Sequence, residues 1–296
     1  MKKIKSFTYT PLLIAFIYYV LLILFVEVRP EHIAVSWAYL ILFYSHPKTR
    51  TWCKDLLPFG LYGAVYDFLR AYPKNWAGPI HVVGPYQLEK FLFGFNWQGI
   101  RVTPNEFFQT HQHVIFDVIG GFMYSMHVIG PIFLAITLWF THRTLSRQFL
   151  WAYLLSGILS LITYIIFPVA PPWYVTNFGL IPASWSVPGN AAGLINFDHL
   201  IGASYYQNIF SKNAWAFGAL PSMHGGHAFM VGYFGYLGFG KKGLWLAIYP
   251  LLMWFSIVYL NHHYIIDIIA GALYVLASHE IIKLVFKKIQ SSKIKA

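Results

Sequence analysis

Eight apolar stretches, at roughly 8–27, 33–46, 55–72, 112–140, 149–167, 221–239, 243–260 and 264–286, constrain what this sequence can fold into more than anything else in it. An α-helix needs about 20 apolar residues to cross about 30 Å of hydrocarbon, and it satisfies its own backbone hydrogen bonds there. The expected fold is an all-α, polytopic membrane helix bundle of about eight spans. The second and third stretches are short and broken by Pro58 and Gly60. Charged residues make up only 10% of the chain, against about 25% in soluble domains. Aromatic residues, at 20%, suit belts at both membrane surfaces. No small-residue cleavage site follows the first span, so it does not read as a cleavable signal. Cys53 is the single cysteine, which leaves no internal disulfide to form.

Threaded alternately, these spans put the N-terminus, the loops 46–55, 141–148 and 240–243 and the C-terminal tail on one side. With Lys283 at the adjoining end of the last span, that side holds 15 of the 21 Lys and Arg residues. The positive-inside rule makes it cytoplasmic. The formal charge of +11 then sets topology and implies no nucleic-acid partner, and Lys287, Lys288, Lys293 and Lys295 can meet anionic lipid.

Two long segments, about 73–111 and 168–220, fall outside. Loops of this length usually have a function. In the first, Leu88, Phe91, Leu92 and Phe95 recur at helical spacing, which predicts an interfacial helix over 86–97, serving either lipid entry or simple packing. Nine of the 13 histidines (His32, His81, His111, His113, His199, His224, His227, His262 and His263) lie outside or at outer span ends. Histidine titrates near neutral pH, so such a cluster suggests proton-transfer chemistry on the outer face.

Two local sequences are the sharpest. In Tyr259-Leu-Asn-His-His-Tyr-Ile-Ile-Asp267, His263 and Asp267 are four residues apart and share a helical face. The carboxylate can hold one ring nitrogen as N–H and leave the other's lone pair free to attack. An ionisable pair in a span is by default a functional hypothesis. In Phe217-Gly-Ala-Leu-Pro-Ser-Met-His-Gly-Gly-His227, Pro221 and Ser222 open a helix whose N-terminus suits phosphate. Ser222 can cap that helix or bind a phosphate oxygen, and His224 in the first turn can give or take a proton. Nucleophile, orienting carboxylate, acid and anion cradle are the parts of phosphoryl transfer through phosphohistidine.

These residues resemble the type-2 phosphatidic acid phosphatase superfamily. Pro221-Ser222-Met223-His224 matches its Pro-Ser-x-His motif, and Ser256, His263 and Asp267 match its Ser-Arg-x5-His-x3-Asp motif. The resemblance implies a six-span helical core with His263 as nucleophile, Asp267 as its partner, His224 as acid and base, and no metal or other cofactor. Ile257 stands where the motif has arginine, and Phe167-Pro-Val-Ala-Pro-Pro-Trp-Tyr174 replaces its Lys-x6-Arg-Pro motif. With the Phe-Gly-Ala-x-Pro-Ser-x-His and His-His-Tyr sequences, this version is similar to the inositol phosphorylceramide synthase branch, the target family of aureobasidin. Members of that branch move phosphoinositol from phosphatidylinositol to a ceramide. The resemblance covers about 55–285, dividing the chain into 1–54 (two added spans and a cytoplasmic loop), a catalytic core at 55–286 and a basic tail at 287–296.

With two cationic ligands missing, phosphate must find positive charge elsewhere. Arg70 is the first choice, since a guanidinium binds phosphate with paired hydrogen bonds; Lys74, Lys212, His227 and His262 follow. Asp117, Tyr124 and His127 line one face of the fourth span and could contact a sugar headgroup or an acceptor hydroxyl, and Trp173 and Tyr174 are further candidates for binding substrate. The plainer readings are a structural His263–Asp267 pair, helix-joining hydrogen bonds at Asp117 and His127, a His113–Asp117 ion pair at the span's mouth, and belt aromatics at Tyr259, Trp173 and Tyr174. Two other classes compete: a metal enzyme ligated by His224, His227, His262, His263 and Asp267, and a transporter, against which stands the lack of an internal repeat. The favoured reading is a two-step transfer from a phospholipid donor. A lipid alcohol as acceptor makes a phosphotransferase, and water makes a phosphatase.

Overall fold

The computed structural model describes residues 8–213 and 215–295, and helices stand wherever an apolar stretch does. The chain divides into two compact units, Met1–Tyr72 and Pro73–Ala296. The first contains α1 (Thr10–Phe25), α2 (Pro30–Ser45) and α3 (Pro47–Phe68). The loop expected at 46–55 is absent. Pro47 supplies a preset φ at the first helical position and His46 Nδ1 accepts the N–H of Lys48 at 3.1 Å, so α3 begins at Pro47. At the other end of α3, buried Asp67 binds Arg29, His32 Nε2 at 2.9 Å and Arg70 Nε at 3.1 Å.

The second unit opens with α4 (Val83–Phe93), the hairpin β1 (Phe95–Trp97) and β2 (Ile100–Val102), and α5 (Pro104–Thr110). The interfacial helix expected over 86–97 therefore ends at Phe93 and gives way to a strand. Arg101 stops it by donating from Nε to the Lys90 carbonyl and from Nη2 to that of Phe91, a cationic cap on a helix C-terminus. Leu88, Phe91 and Leu92 are exposed on α4.

The rest comprises α6 (Val114–Thr141), α7 (Arg143–Ile166), α8 (Pro172–Phe178), α9 (Leu194–Leu200), α10 (Tyr205–Ser211), α11 (Met223–Phe239), α12 (Ile248–Tyr259) and α13 (Ile265–Lys295). Among the described residues, four helical runs are long and apolar enough to cross a bilayer: Val114–Thr141, Arg143–Ile166, Met223–Tyr259 and Ile265–Ser292. The 37-residue run doubles back through a 3-10 turn at Gly240–Ala247, since Trp254 Nε1 on α12 donates to the Gly225 carbonyl on α11. It thus holds the expected spans 221–239 and 243–260. Of the other three expected spans, α1 is apolar but short, α2 has only 16 residues, and α3 carries Lys48, Arg50, Lys54 and Asp55 in its first half. The side chains of Lys293 and Lys295 lie outside the described residues.

α11 and α13 meet through glycines. A Cβ on Gly271 would lie 2.1 Å from the Ser222 carbonyl oxygen, and one on Gly226 would lie 2.8 Å from the Gly271 carbonyl oxygen. This approach lets the Ser222 N–H donate to the Asp267 carbonyl at 2.9 Å, fixing the beginnings of both helices in register. Gly271→Ala must force them apart, and overpacking of this kind costs about 1–3 kcal/mol. We expect a lower unfolding temperature for this variant in detergent, whereas Gly60→Ala, with nothing within 4 Å, should be neutral or mildly stabilising.

Candidate active site

The junction of α12 and α13 is a tight reversal at Leu260–Tyr264. Asn261 turns it with φ +65°, a left-handed conformation that asparagine tolerates. Buried Asn105 on α5 clamps the reversal by donating both amide hydrogens, to the carbonyls of Val258 and His263, each at 3.0 Å. The N–H groups of His262 and His263 return to the Ile257 carbonyl, and Trp173 N–H donates to that of Asn261. Both histidine rings are thereby fixed by backbone geometry.

His263 Nδ1 lies 3.0 Å from the Ala219 carbonyl and 3.5 Å from Asp267 Oδ2. A carbonyl only accepts, so Nδ1 carries the proton and Nε2 the lone pair. Asp267 assists from slightly further away, while its Oδ2 accepts the Tyr264 N–H at 2.9 Å. The tautomer that the sequence assigned to the carboxylate alone is held first by the chain turn before Pro221. His263 Nε2 faces His224 Nδ1 at 3.2 Å, and since Nε2 accepts, His224 Nδ1 donates.

His224 stands in the first turn of α11, where Ser222 caps the helix by accepting the Gly225 N–H at 3.1 Å. Tyr124 and His127, on α6, each bring a ring centroid within 4.7 Å of that of His224. Tyr124 also lies 5.0 Å from His262, whose Nε2 donates to the Ala191 carbonyl. Six expected residues, His263, Asp267, His224, His262, Tyr124 and His127, therefore converge with Ser222. Burial pushes the pKa of His263 down to about 4, opposed by its bond to Ala219. Burial and the neighbouring His263 take His262 down to about 3.

The remaining expected residues sit elsewhere. Asp117 Oδ1 accepts from Tyr259 Oη at 2.7 Å and from Asn196 Nδ2 at 3.2 Å, so its partner is Tyr259 in place of His113. His113 instead caps α6 by accepting the Ile115 N–H. Tyr259, expected in an aromatic belt, is buried. Trp173 and Tyr174 are also buried, in a core with Val82, Ala170 and Phe217, because α8 folds inward behind the His262–His263 turn. His227 stacks on Tyr153 at 3.7 Å, and Lys74 lies 3.6 Å from the Trp215 ring. Arg70 belongs to the N-terminal unit, where it binds Asp67. Among the described residues, no three His, Cys, Asp or Glu side chains form a group able to hold a metal.

Two contributors escape a reading of the sequence. Asn105 leaves one signal, the capping box Thr103-x-x-Glu106 that announces α5. Glu89 leaves none, since an acidic residue on an amphipathic surface helix normally faces water. Here it is fully buried and accepts the N–H groups of Ile265 and Ile266, each at 3.1 Å. Burial raises its pKa to about 7, against the pull of those two N–H groups.

Residues 88–281 match the PAP2 superfamily, and the chain belongs to it. The chain is 36% identical to the phosphoinositol dihydroceramide synthase of Bacteroides thetaiotaomicron over 90% of its own length and 88% of that protein's. It is 30% identical to the inositol phosphorylceramide synthase catalytic subunit of Saccharomyces cerevisiae, over 91% of this chain and 68% of that one, and 31% identical to the inositol phosphorylceramide synthase of Candida albicans, over 80% and 49%. No solved structure matches it. Family, relatives and apolar helices together make it a membrane enzyme.

The His263 geometry can be read by nitrogen magnetic resonance on labelled histidine. We expect a neutral ring protonated at Nδ1 throughout pH 5–8, with a proton gained only near pH 4. Its folded pKa lies below the ordinary 6.5, so its contribution to stability is complete above about pH 6.5 and falls as pH drops towards 4. An imidazolium signal for His263 at pH 6 would contradict the assignment.

Proposed function

We propose that this enzyme transfers phosphoinositol from phosphatidylinositol to a ceramide through a phosphohistidine on His263. The observation that carries the chemistry is the lone pair of His263 Nε2, directed at a second imidazole 3.2 Å away whose Nδ1 bears a proton. The substrates are taken from the names of the relatives, which act on phosphoinositol and ceramide or dihydroceramide.

In the first step the rings of His224 and His263 part to admit the phosphodiester. The His263 Nε2 pair attacks phosphorus, the bond to the diacylglycerol oxygen breaks, and His224, protonated on both ring nitrogens as the anionic substrate enters, gives that oxygen one proton and is left neutral. In the second step His224 takes the proton of the ceramide primary hydroxyl. The freed oxygen attacks phosphorus, and the P–N electron pair returns to His263. Asp267 and the Ala219 carbonyl stabilise the Nδ1–H through both steps, as charge develops on the ring.

The phosphate oxygens are met by the α11 N-terminus with Ser222 and by His262. Tyr124 and His127 border the headgroup. Asp117 acts through Tyr259, Trp173 holds the turn at Asn261 through its backbone N–H, and Tyr174 packs in the same cluster as Trp173. The catalytic core runs over 55–286 with the site on the outer face, periplasmic or luminal, and both termini cytoplasmic, a reading supported by the distribution of Lys and Arg. No nucleic acid takes part.

Purified enzyme given phosphatidylinositol should form inositol phosphorylceramide and diacylglycerol only when a ceramide is present, and products read by mass will show it. Release of inositol phosphate without ceramide would make it a phosphatase using water. His263→Ala should lower kcat by at least about a thousandfold while the protein stays folded. Turnover should survive a strong chelator, and its loss would revive the metal reading.

A further inference from the structure

We infer that Glu89 is a positioning residue for the histidine nucleophile, holding the first turn of α13 in place from outside the helix. The first N–H groups of a helix have no partner within it, and a side chain just before the helix usually supplies one. α13 is different. Asp267, inside its first turn, turns back to the N–H of Tyr264, and the next two, those of Ile265 and Ile266, are taken by the two carboxylate oxygens of Glu89, from a segment 176 residues earlier in the chain.

The placement bears directly on catalysis. His263 immediately precedes this turn and Asp267 ends it, so the spacing of the Asp267 carboxylate from the His263 ring depends on where the turn sits. Three contacts fix that turn: the Asn105 clamp on the His263 carbonyl, the Ser222 bond to the Asp267 carbonyl, and the Glu89 fork. Of the three, only Glu89 brings a group able to carry full charge. Burying a carboxylate completely is costly unless it is bonded, and its bonds go to the backbone that aligns the nucleophile. Other titratable groups lie close by: Asp267 interacts electrostatically with Glu89, and Tyr264 interacts with Glu89, Asp267, Tyr86 and Glu106.

Glu89 also sits on α4 between the exposed Leu88 and Phe91. One face of this short helix therefore meets the surroundings while the other holds the catalytic turn. α4 thus joins the surface of the protein to the turn that follows His263 through the Glu89 carboxylate.

The inference rests on the proposed role of His263, and the experiment separates the two. Glu89→Gln keeps the shape and one acceptor; Glu89→Ala removes both. With phosphatidylinositol and ceramide as substrates, kcat should fall about tenfold in E89Q and further in E89A, with KM within about twofold of the native value. E89Q also serves if E89A fails to fold, and thermal unfolding in detergent establishes that it has folded. The decisive readout is coupling with Asp267→Asn. If Glu89 works through the His263–Asp267 turn, E89Q should add little to the loss already caused by D267N. Losses that multiply in full, or an E89Q enzyme with native kcat, would overturn the inference. If His263→Ala and D267N were themselves fully active, the proposed site would fail instead.

Discussion

One backbone hydrogen bond, from the Ser222 N–H to the Asp267 carbonyl, ties the starts of α11 and α13 together, and the rest of the site is arranged around it. It exists because Gly226 and Gly271 let the two helices approach closer than any side chain would allow. Each helix brings a histidine to that point: His224 in the first turn of α11, and His263 just before α13. Their 3.2 Å separation is thus a consequence of helix packing more than of any attraction between two neutral rings.

Burial then decides what the rings can do. A charged imidazole is disfavoured where water is excluded, so His263 keeps its lone pair over the whole physiological pH range. Hydrogen bonds choose which nitrogen carries that pair. The Ala219 carbonyl, lying just before Pro221 and Ser222, makes the choice, so one stretch of chain both caps the helix bearing His224 and sets the tautomer of His263. Asp267 Oδ2 stands 3.5 Å from His263 Nδ1, where the proposed mechanism needs a group to steady a developing imidazolium.

The main features were legible in the sequence because they follow from local rules. Bilayer-length apolar runs gave α6, α7 and α13; a serine before a glycine-rich run gave the α11 cap; and four-residue spacing put His263 and Asp267 on one face. What could not be read depended on distant contacts. Glu89 and Asn105 serve the catalytic turn from segments more than 150 residues away, and nothing beside them in the chain signals it. Asp117 carries a plausible local partner in His113, yet tertiary packing gives it Tyr259. Trp173 and Tyr174 have belt chemistry but fold inward to pack with Val82, Ala170 and Phe217, and Tyr259 joins the core that α6, α11 and α12 share. The helix predicted over 86–97 overran because the stop at Phe93 comes from Arg101, on the following strand.

The central claim is that His263 Nε2 forms a bond to phosphorus. Enzyme mixed briefly with phosphatidylinositol labelled in its phosphate, without ceramide, and quenched in denaturant at alkaline pH tests it directly. Label should appear on the protein, at His263, be lost on acidification and pass to ceramide when ceramide is added before the quench. Label on any other residue, or steady transfer to ceramide with no protein-bound label at any time, would contradict it.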